Sequence, residues 1–301
     1  FFTVFVVASI LYALYDVMMV RRWEFTFPVD YTSITNCSRC GCIAMKKQHY
    51  IILATPRSGS TMLNYILCQH PDIGCTNEPL HNKLELLPRD LVGDSLDNIM
   101  RYLLRSVHKL DCNKVYGFKV FTDHLYEANI PLKDLIRILN KPKIILLYRK
   151  NILESFVSMK ISQRTQIWNI HLDGPRRNLH LPPQNVTLTW GGYALWRSKI
   201  EKRWIEPLKE FNTYPNNMKT MVTYTDLTEN RDVVIPKLVK FLGFKPQYFS
   251  PMNIKLNPES LEDKIANYGE FMAQLEKHNV SMYLDVAQML RSIHKTNASK
   301  H

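Results

Sequence analysis

Apolar residues along the chain fall into short unbroken runs, separated by stretches where they recur every three or four positions. The first run, Tyr50-Ile51-Ile52-Leu53-Ala54, has the length and continuity of a strand buried on both faces. From 62 to 69 the spacing becomes helical. Ser95 can cap a helix over 95–108 through Met100 and Leu104, and Val115–Phe121 reads as a second strand. Leu132, Leu135, Ile136 and Leu139 repeat at i, i+3, i+4, i+7 along one helix face. Lys143–Tyr148 encloses Ile144-Ile145-Leu146-Leu147, the pattern of a central parallel strand, and a helix follows from about 152 towards 168. Pro175, Pro182, Pro183 and Gly174 mark 171–189 as a long loop. A helix over 190–211 carries Tyr193, Trp196, Ile200 and Trp204 on one side, an aromatic stripe that reads as core. A strand over 218–224, a helix over 233–242 stopped by Gly243, and a helix over 259–278 complete the pattern. Strands alternating with helices predict the α/β class: a three-layer α/β/α domain around a central parallel sheet.

The N-terminus breaks this pattern. Residues 1–20 contain only Thr3, Ser9 and Asp16 outside the apolar set. At ~1.5 Å per residue a helix of that length reaches ~30 Å, enough to cross a hydrocarbon core. A signal-peptide core or a buried helix is the competing reading, and either is usually shorter. The organisation expected is a transmembrane anchor at 1–20, a polar stem or lumenal lead-in at 21–48, and one catalytic domain at 49–301. Arg21-Arg22 would by themselves keep that flank of the anchor cytoplasmic, so charge alone leaves the topology open.

Composition adds less than pattern. With 46% hydrophobic and 22% charged residues the chain is an ordinary globular one, which excludes wholesale disorder. Its formal net charge of +12 favours a polyanionic partner: nucleic acid, a phosphorylated cofactor, a sulfated glycan or an anionic membrane. No recognition helix or aromatic platform accompanies the charge, so nucleic acid is set aside. The cysteines are Cys37, Cys40, Cys42, Cys68, Cys75 and Cys112. An even number beyond an anchor fits disulfides in an oxidising lumen, with zinc at Cys37, Cys40 and Cys42 as the alternative. N-x-[ST] sequons begin at Asn36, Asn185, Asn279 and Asn297, which also points to the secretory pathway.

The chemistry is concentrated after the first strand. Thr55-Pro56-Arg57-Ser58-Gly59-Ser60-Thr61 joins a strand to a helix, where consecutive backbone N–H groups can wrap an anion. Gly59 permits close backbone approach, and the hydroxyls of Ser60 and Thr61 add donors. A nucleoside-triphosphatase loop would place Gly at 54 and Lys at 60, where this chain has Ala54 and Ser60. The loop is P-loop-like without the loop lysine, and an ATPase or kinase is disfavoured.

This loop resembles the 5′-phosphosulfate loop of sulfotransferases, which take sulfate from 3′-phosphoadenosine 5′-phosphosulfate (PAPS) and release adenosine 3′,5′-bisphosphate (PAP). His70-Pro71-Asp72 and Asn77-Glu78-Pro79-Leu80-His81 are similar to segments of membrane-bound carbohydrate sulfotransferases and their bacterial relatives. Tyr148-Arg149-Lys150-Asn151 with Ser158 resembles the 3′-phosphate motif, and Thr165 and Trp168 resemble the trehalose-sulfotransferase-like branch. Tyr224-Thr225-Asp226-Leu227 and Phe241-Leu242-Gly243 match a late segment of the superfamily.

The resemblance implies two cationic cradles for a donor with phosphates at both ends of its ribose. Thr55 to Thr61, Arg57 foremost, serve the 5′ end; Arg149 and Ser158 serve the 3′ end, and Tyr224 of the late segment joins the cofactor-binding set. Ser158 lies nine residues after Arg149 where many members have eight, so Ser155 is the alternative hydroxyl. Glu78 lies 21 residues after Arg57, where related tyrosylprotein and glycan enzymes place a glutamate base. Lys119, at a strand end, is positioned to stabilise charge on the bridging oxygen. His81 and His70 are alternative bases. The chemistry needs no metal. The resemblance further implies a Golgi membrane enzyme with a lumenal catalytic domain and a carbohydrate acceptor. It admits a homodimer. A tyrosylprotein sulfotransferase and a catalytically silent glycan-binding protein of the same fold are the rival readings.

Overall fold

The first apolar run is indeed a strand, β1 (Gln48–Ala54), and from Tyr50 onward each of its residues is fully buried. The computed structural model describes residues 48–80, 113–170, 182–251 and 257–298. Within them β1 is followed by α1 (Ser60–Leu67), β2 (Ile73–Thr76), β3 (Val115–Phe121), α2 (Thr122–Ala128) and α3 (Leu132–Ile138). Then come β4 (Lys143–Tyr148), α4 (Ile152–Thr165), α5 (Trp190–Thr213), β5 (Lys219–Thr223), α6 (Tyr224–Glu229) and α7 (Arg231–Leu242). The chain continues through α8 (Leu261–Lys264), α9 (Tyr268–Lys277) and α10 (Val286–Ala298).

The five strands form one sheet in the order β2-β3-β1-β4-β5, and every pairing is parallel. Side chains alternate across it, as the two-residue period requires. Ile51, Leu53, Phe118, Val120, Ile144 and Leu146 face a layer containing Leu125, Leu135, Phe156, Tyr193 and Trp204. Tyr50, Ile52, Ala54, Ile145 and Leu147 face the opposite layer, with Leu63 and Ile66 from α1 and Ile235 and Leu238 from α7. Helices cover both faces, giving the expected three layers. The aromatic stripe of α5 is core, with Tyr193 and Trp204 fully buried.

One contact fixes how closely β1 and β3 can sit. Tyr50 lies against Gly117, and a β-carbon there would fall 2.1 Å from the ring. Only glycine leaves room for it. Burial pushes the Tyr50 hydroxyl far up its scale, and that oxygen has no hydrogen-bond partner among the described residues.

Several expectations are corrected. β2 was not expected: of Ile-Gly-Cys-Thr only Ile73 is strongly apolar, and the strand is held as a sheet edge by pairing with β3. The single helix over 259–278 is broken after Lys264, because Ile265 is extended and forms a parallel bridge to Val186. The helix towards 168 stops at Thr165, where Gln166 turns left-handed at φ 57°. Tyr224 opens α6 rather than closing a strand, since Thr223 and Asp226 form a reciprocal capping box.

Cys68, at the end of α1, is disulfide-bonded to Cys75 in β2, with Cα atoms 5.8 Å apart. Disulfide use is therefore present at this pair; Cys37, Cys40, Cys42 and Cys112 lie outside the described residues. So do the anchor at 1–20, nearly all of the stem at 21–48, and the helix over 95–108. Among the described residues no helix is long and apolar enough to cross a membrane.

Candidate active site

Because every strand runs the same way, the loops after β1, β3, β4 and β5 leave the same edge of the sheet, the edge where open α/β sheets bind ligands. The loop after β1 is tightly folded. Ser58, fully buried, donates its Oγ proton to the Thr55 carbonyl at 2.7 Å, and Arg57 and Gly59 both take positive φ, 64° and 87°. For arginine that conformation costs of order 1–3 kcal/mol and is typical of functional turns. A β-carbon on Gly59 would meet the Tyr224 ring at 2.7 Å, so glycine serves both the turn and the close approach of that ring. The Leu63 N–H donates to the Gly59 carbonyl at 3.0 Å and starts α1.

Arg57 links the two expected cradles. Its Nε donates to Ser158 Oγ on α4 at 3.0 Å, and its Nη1 donates to the Trp168 carbonyl at 2.7 Å. Burial, and after it the neighbouring Arg149 guanidinium, push Arg57 down to about 10, against a smaller upward pull from Tyr224 and Glu78. Two guanidinium groups thus lie close together in a poorly solvated region, a placement that suits an anion.

Arg149 follows directly on β4. Its guanidinium lies 4.2 Å from the Tyr224 ring centre and is ion-paired with Glu154. Its Nε is buried with no hydrogen-bond partner among the described residues. Ser158, not the buried Ser155, is brought to the arginines, although its recorded partner is Arg57 rather than Arg149.

On the other side of the loop, Lys119 is only 2% exposed. Its Nζ donates to Thr61 Oγ1 and pairs with Glu78 Oε1, each at 2.8 Å. Burial pushes this ammonium down its scale while the Glu78 carboxylate holds it up. The pair is set by backbone register, since the Lys119 N–H donates to the Asn77 carbonyl at 2.8 Å and so fixes Glu78 at the end of β2. Glu78 remains 23% exposed, open to a second reactant.

Two nearby groups escaped the sequence reading. His124 Nε2 stands 3.9 Å from Glu78 Oε2, with Nδ1 accepting from the Phe121 N–H at 3.4 Å. Glu154 is the second. Both lie in the first turn of a helix that starts at a strand end, a placement that could have flagged them. The alternative base His70 is engaged elsewhere: it packs 4.3 Å from Phe244, and its Nδ1 accepts from the Asp72 N–H. His81 lies outside the described residues. Thr165 caps its own helix end, bonding Ile161 and Ile167, and only Trp168 of that pair reaches the site. No group of three or more His, Cys, Asp or Glu suited to a metal occurs among the described residues. A cavity of about 340 Å³ beside Phe156, Lys160 and Arg164 lies on the other side of α4 from Ser158.

A strand–loop–helix turn that carries one half-buried arginine and meets a second, at the ligand-binding edge of a parallel sheet, defines an α/β protein built to hold a multiply anionic ligand. The chain belongs to the sulfotransferase domain family, whose model matches residues 47–288. Over 78 residues it is 37% identical to carbohydrate sulfotransferase 7 of Mus musculus, a match covering 25% of this chain and 16% of that protein's length. Among solved structures it is similar to a sulfotransferase from Alicyclobacillus acidocaldarius, with 13% identity, a TM-score of 0.45, and 82% and 96% of the two chains covered. It is also similar to mouse sulfotransferase SULT7A1 complexed with PAP, with 16% identity, a TM-score of 0.42, and 68% and 60% covered.

Proposed function

We propose that the chain transfers a sulfuryl group from PAPS to a hydroxyl of a carbohydrate acceptor. The observation that carries this reading is the Glu78–Lys119–Thr61 chain, which holds a carboxylate and a buried cation at the anion loop. When bound, the donor supplies an activated sulfuryl group on a phosphosulfate linkage. The residues fit such a group: Arg149 has an unused buried donor, and Gly59 keeps the loop clear of any side chain of its own. Thr55 to Thr61 would hold the 5′ end with backbone N–H groups, the Arg57 guanidinium and the Ser60 and Thr61 hydroxyls. Arg149, Tyr224 and Ser158 would hold the 3′ end. Glu78 takes the acceptor's proton, and Lys119 offsets negative charge gathering on the bridging oxygen. The loop, Arg57 and Arg149 fix the donor, so positioning and charge compensation do the rest.

The match to a carbohydrate sulfotransferase supports a sugar as acceptor. The decisive assay incubates the purified protein with labelled PAPS and a panel of glycans, glycolipids and acidic tyrosine peptides. Label on carbohydrate is expected. Label on tyrosine peptides alone would replace the acceptor, and tight glycan binding without transfer would replace the enzyme by a binding protein.

The same reading places the domain at 49–301 in the Golgi lumen, behind a stem at 21–48 and a single membrane anchor at 1–20. The Cys68–Cys75 disulfide and the exposed sequon asparagines Asn185 and Asn279 support it. Protein made in animal cells should lose mass when N-glycans are removed enzymatically. An unchanged mass would overturn the lumenal placement and leave the donor chemistry untouched.

A further inference from the structure

We propose that Glu154 is a resident counter-ion of Arg149 that a 3′-phosphate must displace, and that it thereby tunes the site's affinity for PAPS and PAP. The inference rests on the reading of Arg149 as the 3′-phosphate partner. Arg149 is 12% exposed and sits beside Arg57, so in the ligand-free protein two guanidinium groups share one poorly solvated region. Such a cluster needs an anion. Glu154 provides one from the first turn of α4, where the Asn151 side chain fixes the backbone by accepting the Glu154 N–H at 3.1 Å.

The geometry makes this carboxylate replaceable. Glu154 is 31% exposed, so it can turn to solvent without disturbing the core. The Arg149 side chain stays oriented by the Tyr224 ring 4.2 Å away. One end of its guanidinium, Nη2, carries Glu154 while the buried Nε carries nothing. A phosphate can engage both positions at once and brings more charge than a carboxylate, so it wins the exchange. The displaced interaction is subtracted from binding, and it is subtracted equally for PAPS and PAP. Glu154 therefore weakens retention of the product as much as capture of the donor. Nucleotides without a 3′-phosphate leave the pair intact and are unaffected.

Titration calorimetry on the full 301-residue chain tests this with PAP and AMP as probes. Glu154→Gln and Glu154→Ala should each bind PAP about tenfold more tightly, the scale of one charged hydrogen bond no longer given up, while AMP affinity stays constant. Neither substitution touches the Asn151 cap, because Glu154 contributes only its N–H to it. In an Arg149→Ala background, adding Glu154→Ala should change PAP affinity little, since the two side chains act through one contact. PAP binding as weak as wild type in both Glu154 variants, with wild type still preferring PAP to AMP, overturns the counter-ion. Wild type binding PAP and AMP equally overturns the donor assignment itself, and the counter-ion with it.

Discussion

Glu78→Gln should lower kcat by ~10²–10⁴-fold, the usual worth of general-base assistance, while PAP affinity hardly changes. A hydroxyl acceptor is a poor nucleophile until its proton leaves, and Glu78 is the carboxylate that Lys119 anchors beside the loop at 2.8 Å. Glutamine keeps an oxygen for the Lys119 ammonium, so the buried lysine retains Thr61 and one amide acceptor. The loss then reports basicity rather than collapse of the cluster. Glu78→Asp, one methylene shorter, should fall between. Steady-state kinetics with calorimetric PAP affinities on the same samples separates the two effects. A Glu78→Gln enzyme with near-normal kcat would move the base to His81 or to His124; Asp72 is already paired with Lys114 at 3.3 Å.

Arg149→Ala should weaken PAP by roughly 10²-fold, since a phosphate held through two charged hydrogen bonds loses both. AMP, lacking the 3′-phosphate, should be little affected, so the two nucleotides end with similar affinities. Thermal stabilisation by PAP should shrink in step, by ligand linkage. Arg149→Lys should be intermediate, because a lysine offers a point charge without the planar fork. Retained preference for PAP in Arg149→Ala would place the 3′ cradle elsewhere.

Strands buried on both faces were readable because their apolar runs are unbroken: β1 and β4 emerge as expected, and β3 does so despite Lys119 in its middle. That lysine was expected at a strand end, and it instead lies within β3, buried and paired with Glu78. What escaped depends on contacts distant in sequence. β2 exists through pairing to β3, and Ile265 leaves its helix because Val186 offers a bridge. Within the site, the loop and Arg149 carry local signatures. The Arg57–Ser158 bond spans 101 residues and the Lys119–Thr61 bond 58, and no local pattern encodes such meetings. Spacing alone left Ser155 and Ser158 open; helix phase turns Ser158 to Arg57 and buries Ser155.

β1 lies at the centre of a sheet whose two halves contribute different things. The β4 and β5 side brings Arg149, Ser158 and Tyr224, the groups read as holding the nucleotide. The β2 and β3 side brings Glu78, Lys119 and His124, the groups read as activating the other reactant. This division makes the protein modular in an evolutionary sense. The two halves meet in the sheet only through β1, so the side that faces the other reactant can change in sequence while the nucleotide side is held constant by its own demanding ligand. Chimeras that exchange the β2 and β3 side between related proteins are the natural way to move the choice of reactant without rebuilding donor use.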